Sequence, residues 1–262
     1  AAADLTPSPG LELVASSWDT GEVYLFEFAD GPGGVEASIA SGWPRAVLNS
    51  YGIWGSLSLG DVDNDNRLEI FVVDVGGNLH AWNADGSEVV DGDGNGGTQG
   101  VFDTGLGTWP RSTAAFADVD GDGGDEIFMT TASGQLRGYQ GDGGALPGFP
   151  ITGMLEIFSS PAIGDIDDDG EVEIVVAAEN DSLYVFNHDG SRLPGFPMPL
   201  LNNNASLKTP SPALADITGD GVPEIFACGV DDAHSMEIGW IDVDGAYLSG
   251  WPIDIGDHSQ SS

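Results

Sequence analysis

An acidic loop that returns about every 50 residues constrains this chain more than any other feature. Its clearest copy is Asp165-x-Asp167-x-Asp169-Gly170-x-x-Glu173, preceded by Ser160-Pro161-Ala162-Ile163-Gly164 and followed by Ile174-Val175-Val176. The same frame runs from Asp61 to Glu69, from Asp118 to Glu126 and from Asp216 to Glu224, and a worn copy runs from Asp4 to Glu12. A second landmark closes each unit, an aromatic-Pro pair: Trp43-Pro44, Trp109-Pro110, Phe149-Pro150, Phe196-Pro197 and Trp251-Pro252.

Between the landmarks lie two strand-like stretches. One follows the acidic loop and is apolar without alternation, as in Ile174 to Ala178, so both of its faces should be covered. The other ends on an aromatic, as in Val23 to Phe26, Leu79 to Trp82 and Leu183 to Phe186. Asp-Gly pairs such as Asp85-Gly86, Asp142-Gly143 and Asp189-Gly190 follow, where a hairpin turn needs a positive φ. Each unit therefore carries about four short strands, and no stretch keeps a helical period. A four-stranded sheet covered on both faces and repeated at this spacing is a propeller blade; a β-sandwich would alternate and would not repeat. The expectation is an all-β β-propeller of about five four-stranded blades in one domain, 1–262. Its units are approximately 1–55, 56–111, 112–158, 159–209 and 210–262. The five blades form either a closed ring or part of a larger propeller. Ser261-Ser262 joined to Ala1-Ala2 matches the lead-in to the other loops, so closure would pair the two ends within one blade.

Composition narrows the partners. The chain has 43 Asp and Glu against 6 Lys and Arg, for a net charge of -37. Nucleic acid and anionic membrane surfaces need clustered basic residues, and this chain has one lysine, Lys208. No apolar run approaches the roughly 20 residues of a membrane span, and no basic-led apolar leader opens the chain, so any leader was removed or lies upstream. Hydrophobic residues are 40% and Trp numbers seven, enough for a core despite the charge. The single cysteine, Cys228, excludes an intrachain disulfide and reads as a small core residue.

The loop spacing carries the chemistry. Side-chain oxygens at loop positions 1, 3, 5 and 9 converge in a tight turn, glycine at position 6 permits that turn, and the carbonyl at position 7 adds an oxygen. By this rule four calcium sites are expected. They comprise Asp61, Asp63, Asp65, the Arg67 carbonyl and Glu69; Asp118, Asp120, Asp122, the Gly124 carbonyl and Glu126; Asp165, Asp167, Asp169, the Glu171 carbonyl and Glu173; and Asp216, Thr218, Asp220, the Val222 carbonyl and Glu224. Oxygen ligands in a flexible loop favour calcium over magnesium or zinc. Thr218 removes one charge, so that site should bind more weakly; the loop from Asp4 to Glu12 should be metal-free or marginal.

The string Ser-Pro-Ala-Ile-Gly-Asp-Ile-Asp-Asp-Asp-Gly-x-x-Glu-Ile-Val-Val resembles the FG-GAP/VCBS repeat, the calcium-loop blade of integrin α-subunit propellers and of many bacterial surface proteins. The literal Phe-Gly and Gly-Ala-Pro elements are absent, which points toward the bacterial or archaeal VCBS-type group. The resemblance implies a secreted or cell-surface protein acting in adhesion, glycan contact or scaffold assembly, with ligands meeting the face opposite the calcium loops. On that face the strand order places Trp18, Tyr51, Trp54, Met154, Phe158, Asn202 to Asn204 (Asn203 at the centre), Lys208 and His234. Aromatic planes and amides there suit a protein or glycan partner. The Asp91 to Gly97 stretch reads as a flexible Gly-rich loop that lacks a closing acid. Catalysis has little support: the four histidines fall on separate units, and no nucleophile elbow, zinc helix or phosphate loop occurs. The leading expectation is a non-enzymatic interaction module; a carbohydrate-active module, either lectin or polysaccharide-degrading propeller, is the alternative.

Overall fold

The computed structural model describes residues 1–7, 10–48, 52–53, 55–90, 100–107, 111–200, 210–230 and 235–257. Every regular element among them is a strand. Five sheets follow one another along the chain, and each falls inside one of the five expected units. The first holds β1 (Ala2–Ala3), β2 (Glu12–Ser16), β3 (Glu22–Gly31) and β4 (Gly34–Ile39) in that order, with β5 (Arg45–Ala46) also on β3. The second runs β6 (Ser58–Gly60), β7 (Glu69–Val73), β8 (Leu79–Trp82) and β9 (Val101–Asp103). The third runs β10 (Ala115–Ala117), β11 (Glu126–Thr130) and β12 (Leu136–Tyr139). The fourth is β13 (Ala162–Gly164), β14 (Glu173–Ala178), β15 (Ser182–Asn187) and β16 (Met198–Pro199). The fifth is β17 (Ala213–Ala215), β18 (Glu224–Val230), β19 (Ser235–Ile241) and β20 (Ile253–Asp257).

Two sheets depart from four strands. In the first, residues 27 to 39 prolong the third strand into a hairpin, β3–β4, before the short closing strand β5. In the third, the closing strand shrinks to one bridge, Leu136 with Ile151. Pro150 offers no N–H, and Gly153 turns the chain away at φ 93°.

The chain divides into two compact units, 1–127 with 139–145 and 128–138 with 146–262; residues of β11 and β12 fall on both sides of the division. In the first unit Val14, Val23, Leu25 and Trp43 of the first sheet pack with Ile70, Val72 and Trp82 of the second. The next residue of β7, Phe71, points the other way, to Phe102 and Phe116. In the second unit Val175, Leu183, Val185 and Phe196 of the fourth sheet pack with Ile225, Ala227 and Ile241 of the fifth. Strands β7, β11 and β14 are buried along their whole length, as their unbroken apolar sequence requires.

The aromatic-Pro pairs seat these contacts. Trp43, Phe149 and Phe196 are buried, and Trp251 is half-buried. Trp43 meets Trp82 edge to face at 6.1 Å and donates Nε1–H to the Ala84 carbonyl at 2.8 Å. The four described pairs have cis peptide bonds; Trp109-Pro110 lies outside the described residues. The glycine before the aromatic in three of these pairs is required by contact. A Cβ on Gly42, Gly148 or Gly195 would stand 2.2, 2.1 or 2.6 Å from the carbonyl of Asp85, Asp189 or Asp244. Those carbonyls belong to the Asp-Gly turn of the following sheet. Ser261 and Ser262, on which pairing of the chain ends depends, lie outside the described residues.

Candidate metal centres

One hydrogen bond recurs in all five acidic loops. The glutamate at position 9 is the first residue of β2, β7, β11, β14 or β18, and it is buried in each case, at 1–7% exposure. Its Oε2 accepts the N–H of loop position 2: Leu5 at 2.7 Å, Val62 at 2.9 Å, Val119 at 2.8 Å, Ile166 at 2.9 Å and Ile217 at 2.9 Å. The bond fixes the loop's closing acid where the second strand begins. It also satisfies a backbone donor that the turn would otherwise leave buried.

Position 1 gathers the turn. Asp61 accepts from Asp65 and Asn66, Asp118 from Gly121 and Gly123, Asp165 from Gly170, and Asp216 from Gly219, Asp220 and Gly221. Position 5 then accepts from position 7: Arg67 to Asp65, Gly124 to Asp122, Glu171 to Asp169 and Val222 to Asp220, at 2.8–3.0 Å. The residues expected to contribute carbonyls are thus held in place by their own N–H groups. The turn is left-handed at position 6, through Asn66, Gly123, Gly170 and Gly221, and also at position 4, through Asn64, Gly121, Asp168 and Gly219.

Three loops bring carboxylates together. Oxygens of Asp61, Asp63 and Glu69 lie within 4.8 Å of one another, as do those of Asp118, Asp120 and Asp122, and those of Asp165, Asp167 and Glu173. Asp65, Asp169 and Glu126 stand outside these tightest groups. In the loop from Asp216 to Glu224, Thr218 interrupts the acids and donates its hydroxyl to Glu224 Oε1 at 2.9 Å. Thr6 does the same to Glu12 Oε1 at 3.1 Å.

The electrostatics of the clusters are unbalanced. Burial, opposed by the Ile166 N–H and reinforced by Asp167, Asp169 and Asp165, pushes the Glu173 carboxyl up to about 7. Burial and the neighbouring Asp63, Asp61 and Asp65 do the same to Glu69, also to about 7. Glu126 is raised by burial and its three aspartates, and Asp167 by burial and then Asp169 and Asp165. Asp165 Oδ1 and Asp167 Oδ1 are buried without a hydrogen-bond partner. Unpaired oxygens and like charges inside one short loop fit a hard divalent cation, the all-oxygen donor set of which these residues provide.

In the first unit the loops 61–69 and 118–126 are tied together. Asp125 N–H donates to the Asp61 carbonyl at 2.7 Å, Asp61 N–H to Asp125 Oδ2 at 3.2 Å, and Asn64 Nδ2 to the Asp122 carbonyl at 3.0 Å. They border an open cavity of about 620 Å³ that Val89, Val90, Gln140 and Asp142 also line.

Of the residues expected on the opposite face, Trp18 is exposed at 52%, in the β2–β3 turn. Met154 is buried and Phe158 half-buried, so Met154 is not available to a partner. Tyr51, Trp54, Asn203, Lys208 and His234 lie outside the described residues, as does Asp91 to Gly97. Two histidines have acidic neighbours that the sequence did not suggest: His188 Nδ1 lies 3.9 Å from Glu171 Oε2 at the surface, and His80 has a buried partner. His80 Nε2 is 3.1 Å from Asp74 Oδ2, both fully buried, and Asn78 donates to the same carboxylate oxygen at 2.7 Å. Burial would raise the Asp74 carboxyl, but the bonds from His80 and Asn78 hold it below the usual range. No solvent reaches that pair, and it braces the β7–β8 hairpin.

Comparison with known proteins agrees with the repeat and the fold. Residues 165–227 match the model of the FG-GAP-like repeat family. No curated protein matches the sequence. Among solved structures, BBS1N in complex with ARL6DN (the lead-soaked crystal) aligns with a TM-score of 0.53 at 11% identity, over 97% of this chain and 66% of that one. The WD40 domain of Toxoplasma gondii coronin aligns with a TM-score of 0.55 at 10% identity, over 94% of this chain and 57% of that one. The chain thus spans less than two thirds of the length of either. The fold is a β-propeller. Within it, residues 165–227 are similar to the FG-GAP-like repeat. No helix among the described residues is long and apolar enough to cross a membrane.

Proposed function

We propose that this chain is a calcium-stabilised interaction module, secreted or held at a cell surface, that binds a protein or glycan partner and catalyses no reaction. The observation that carries the reading is the loop 165–173, where a buried glutamate and two unpartnered aspartate oxygens converge. Calcium supplies the positive charge that these oxygens lack, and the residues themselves hold the turn through the N–H bonds to Asp165, Asp169 and Glu173. Sites of this ligand type are filled where calcium is abundant, at dissociation constants of about 10⁻⁴–10⁻³ M for extracellular modules. A net charge of -37 suits the same setting, because divalent cations screen the self-repulsion.

A partner-binding role is supported by the fold neighbour BBS1N, whose structure is a complex with another protein. The exposed Trp18 supports the reading that the turns away from the acidic loops form the contact surface. Calorimetric melting with calcium and with a chelator tests the metal. Each filled loop should add about 2.7 kcal/mol at a hundred-fold excess over its dissociation constant, and an unchanged melting temperature would refute it. A glycan array and a cell-surface binding assay, each run in calcium and in chelator, test the partner class. Calcium-dependent retention of one glycan family or of one surface protein is expected; turnover of a bound polysaccharide would replace the reading with an enzymatic one.

A further inference from the structure

We infer that the third residue of each acidic loop decides how that loop is closed, by a cation where it is aspartate and by a hydrogen bond where it is threonine. The chain then takes three cations, in loops 61–69, 118–126 and 165–173, and none in loops 4–12 and 216–224. The inference rests on the calcium reading above and divides the loops that reading treats alike.

All five loops share the buried glutamate at position 9 and the N–H bond to its Oε2. They differ in what meets the rest of the loop. Thr6 and Thr218 each turn a hydroxyl proton onto Oε1 of the glutamate, at 3.1 and 2.9 Å. Both carboxylate oxygens of Glu12 and Glu224 are then satisfied from within the chain. Thr6 adds its backbone N–H to Glu12 Oε2 at 3.1 Å. Where the third residue is Asp63 or Asp167, no proton is offered, and a second carboxylate stands within 4.8 Å of the glutamate. Asp120 likewise joins Asp118 and Asp122 instead of donating. In loop 165–173 Asp165 Oδ1 and Asp167 Oδ1 remain buried without a partner; no atom of the other four loops does among the described residues, so the carboxylate groups carry the division for 61–69 and 118–126. A hydroxyl that donates to the closing acid takes the place of the ion at that oxygen: the carboxylate keeps its charge, but its second oxygen has a partner.

The test counts ions. Native mass spectrometry and calorimetric titration of the full chain with calcium chloride should give three per chain. Thr218→Asp should raise the count to four, and Asp167→Thr should lower it to two. In chelator Thr218→Val should lower the melting temperature by about 2–4 °C, Thr218→Ser should leave it unchanged, and Asp167→Thr should raise it. Four ions in the wild type, with one lost in Thr218→Val, would overturn the division while leaving calcium binding intact. No bound calcium at all would overturn both. If Thr218→Val does not fold, the counts for Thr218→Asp and Asp167→Thr decide the matter.

Discussion

Loops 165–173 and 216–224 occupy the same place in consecutive sheets of one compact unit, and they share nearly every bond. Each begins with an aspartate that accepts N–H groups of the turn, one at Asp165 and three at Asp216, and each ends on a buried glutamate held by the second residue. One has Asp167 at its third position and carries unpartnered buried oxygens; the other has Thr218 and carries none among the described residues. The scaffold is thus the same with either third residue. On the division inferred above, what changes is the partner of the glutamate's second oxygen, a cation in one loop and a hydroxyl hydrogen bond in the other.

The largest expected effect tests that statement directly. Glu173→Gln keeps an oxygen for the Ile166 N–H but removes a ligand charge. In saturating calcium it should cost about 2.7 kcal/mol, the linkage energy of one site at a hundred-fold excess over its dissociation constant. In chelator at pH 8 the sign should reverse, with a gain of about 1 kcal/mol as a buried like charge disappears. Glu224→Gln should show no such reversal. Paired melting curves of the two variants check it, and equal behaviour in both loops would erase the contrast.

A change in the shared scaffold should ignore calcium. Gly148 has φ 89°, and a Cβ there would stand 2.1 Å from the Asp189 carbonyl. Backbone cannot yield as a side-chain end would, so Gly148→Ala should destabilise by about 2 kcal/mol. The loss should be the same in calcium and in chelator. A loss that depends on calcium would mean that the loops and the sheet contacts are not separable.

Titration sharpens the contrast further. In the folded chain without metal, Glu69 and Glu173 hold their protons up to about 7, above the ordinary value of 4.5. The folded state then binds more protons than the unfolded state between these values. Stability in chelator should therefore rise as the pH falls from above 7 toward 4.5. In calcium the direction should invert, because protonation expels the ion. Melting temperature against pH under the two conditions measures both slopes, and parallel curves would remove the ion from the account.

The sequence made the frame legible because the frame is periodic. Five acidic loops and five aromatic-Pro pairs placed every sheet in its unit, and the unbroken apolar runs marked β7, β11 and β14 as covered on both faces. The closing glutamates were legible by spacing alone. What spacing does not carry is the direction of a proton. Thr218 therefore read as a weaker ligand, although its hydroxyl points at Glu224. Close approach is equally silent: nothing in the sequence singles out Gly42, Gly148 and Gly195, and only the packed sheets reveal the carbonyl above each one. The Asp74–His80 pair was missed because its partners sit on the two arms of one hairpin, six residues apart, with no motif between them.

The smallest expected effect separates the two compact units. In the first, Asn64 at loop position 4 donates to the Asp122 carbonyl at 3.0 Å, and Asp125 bonds the backbone of Asp61. In the second, the residue at the same position of loop 165–173 is Asp168, whose carboxylate cannot donate to a carbonyl. Filling loop 61–69 should therefore order loop 118–126, whereas loop 165–173 fills alone. Asn64→Ala should cost about 1 kcal/mol, the worth of one hydrogen bond. It should also turn a cooperative calcium isotherm for two of the ions into independent binding, while Asp168→Ala leaves the isotherm's shape unchanged. The coupling is reciprocal, so emptying loop 118–126 with Asp120→Asn should weaken calcium in loop 61–69, and emptying loop 61–69 with Asp63→Asn should weaken it in loop 118–126. A loop whose affinity does not change when the other is emptied, or an isotherm that Asn64→Ala does not alter, would show that the bonds between these loops hold the sheets together without linking their ions.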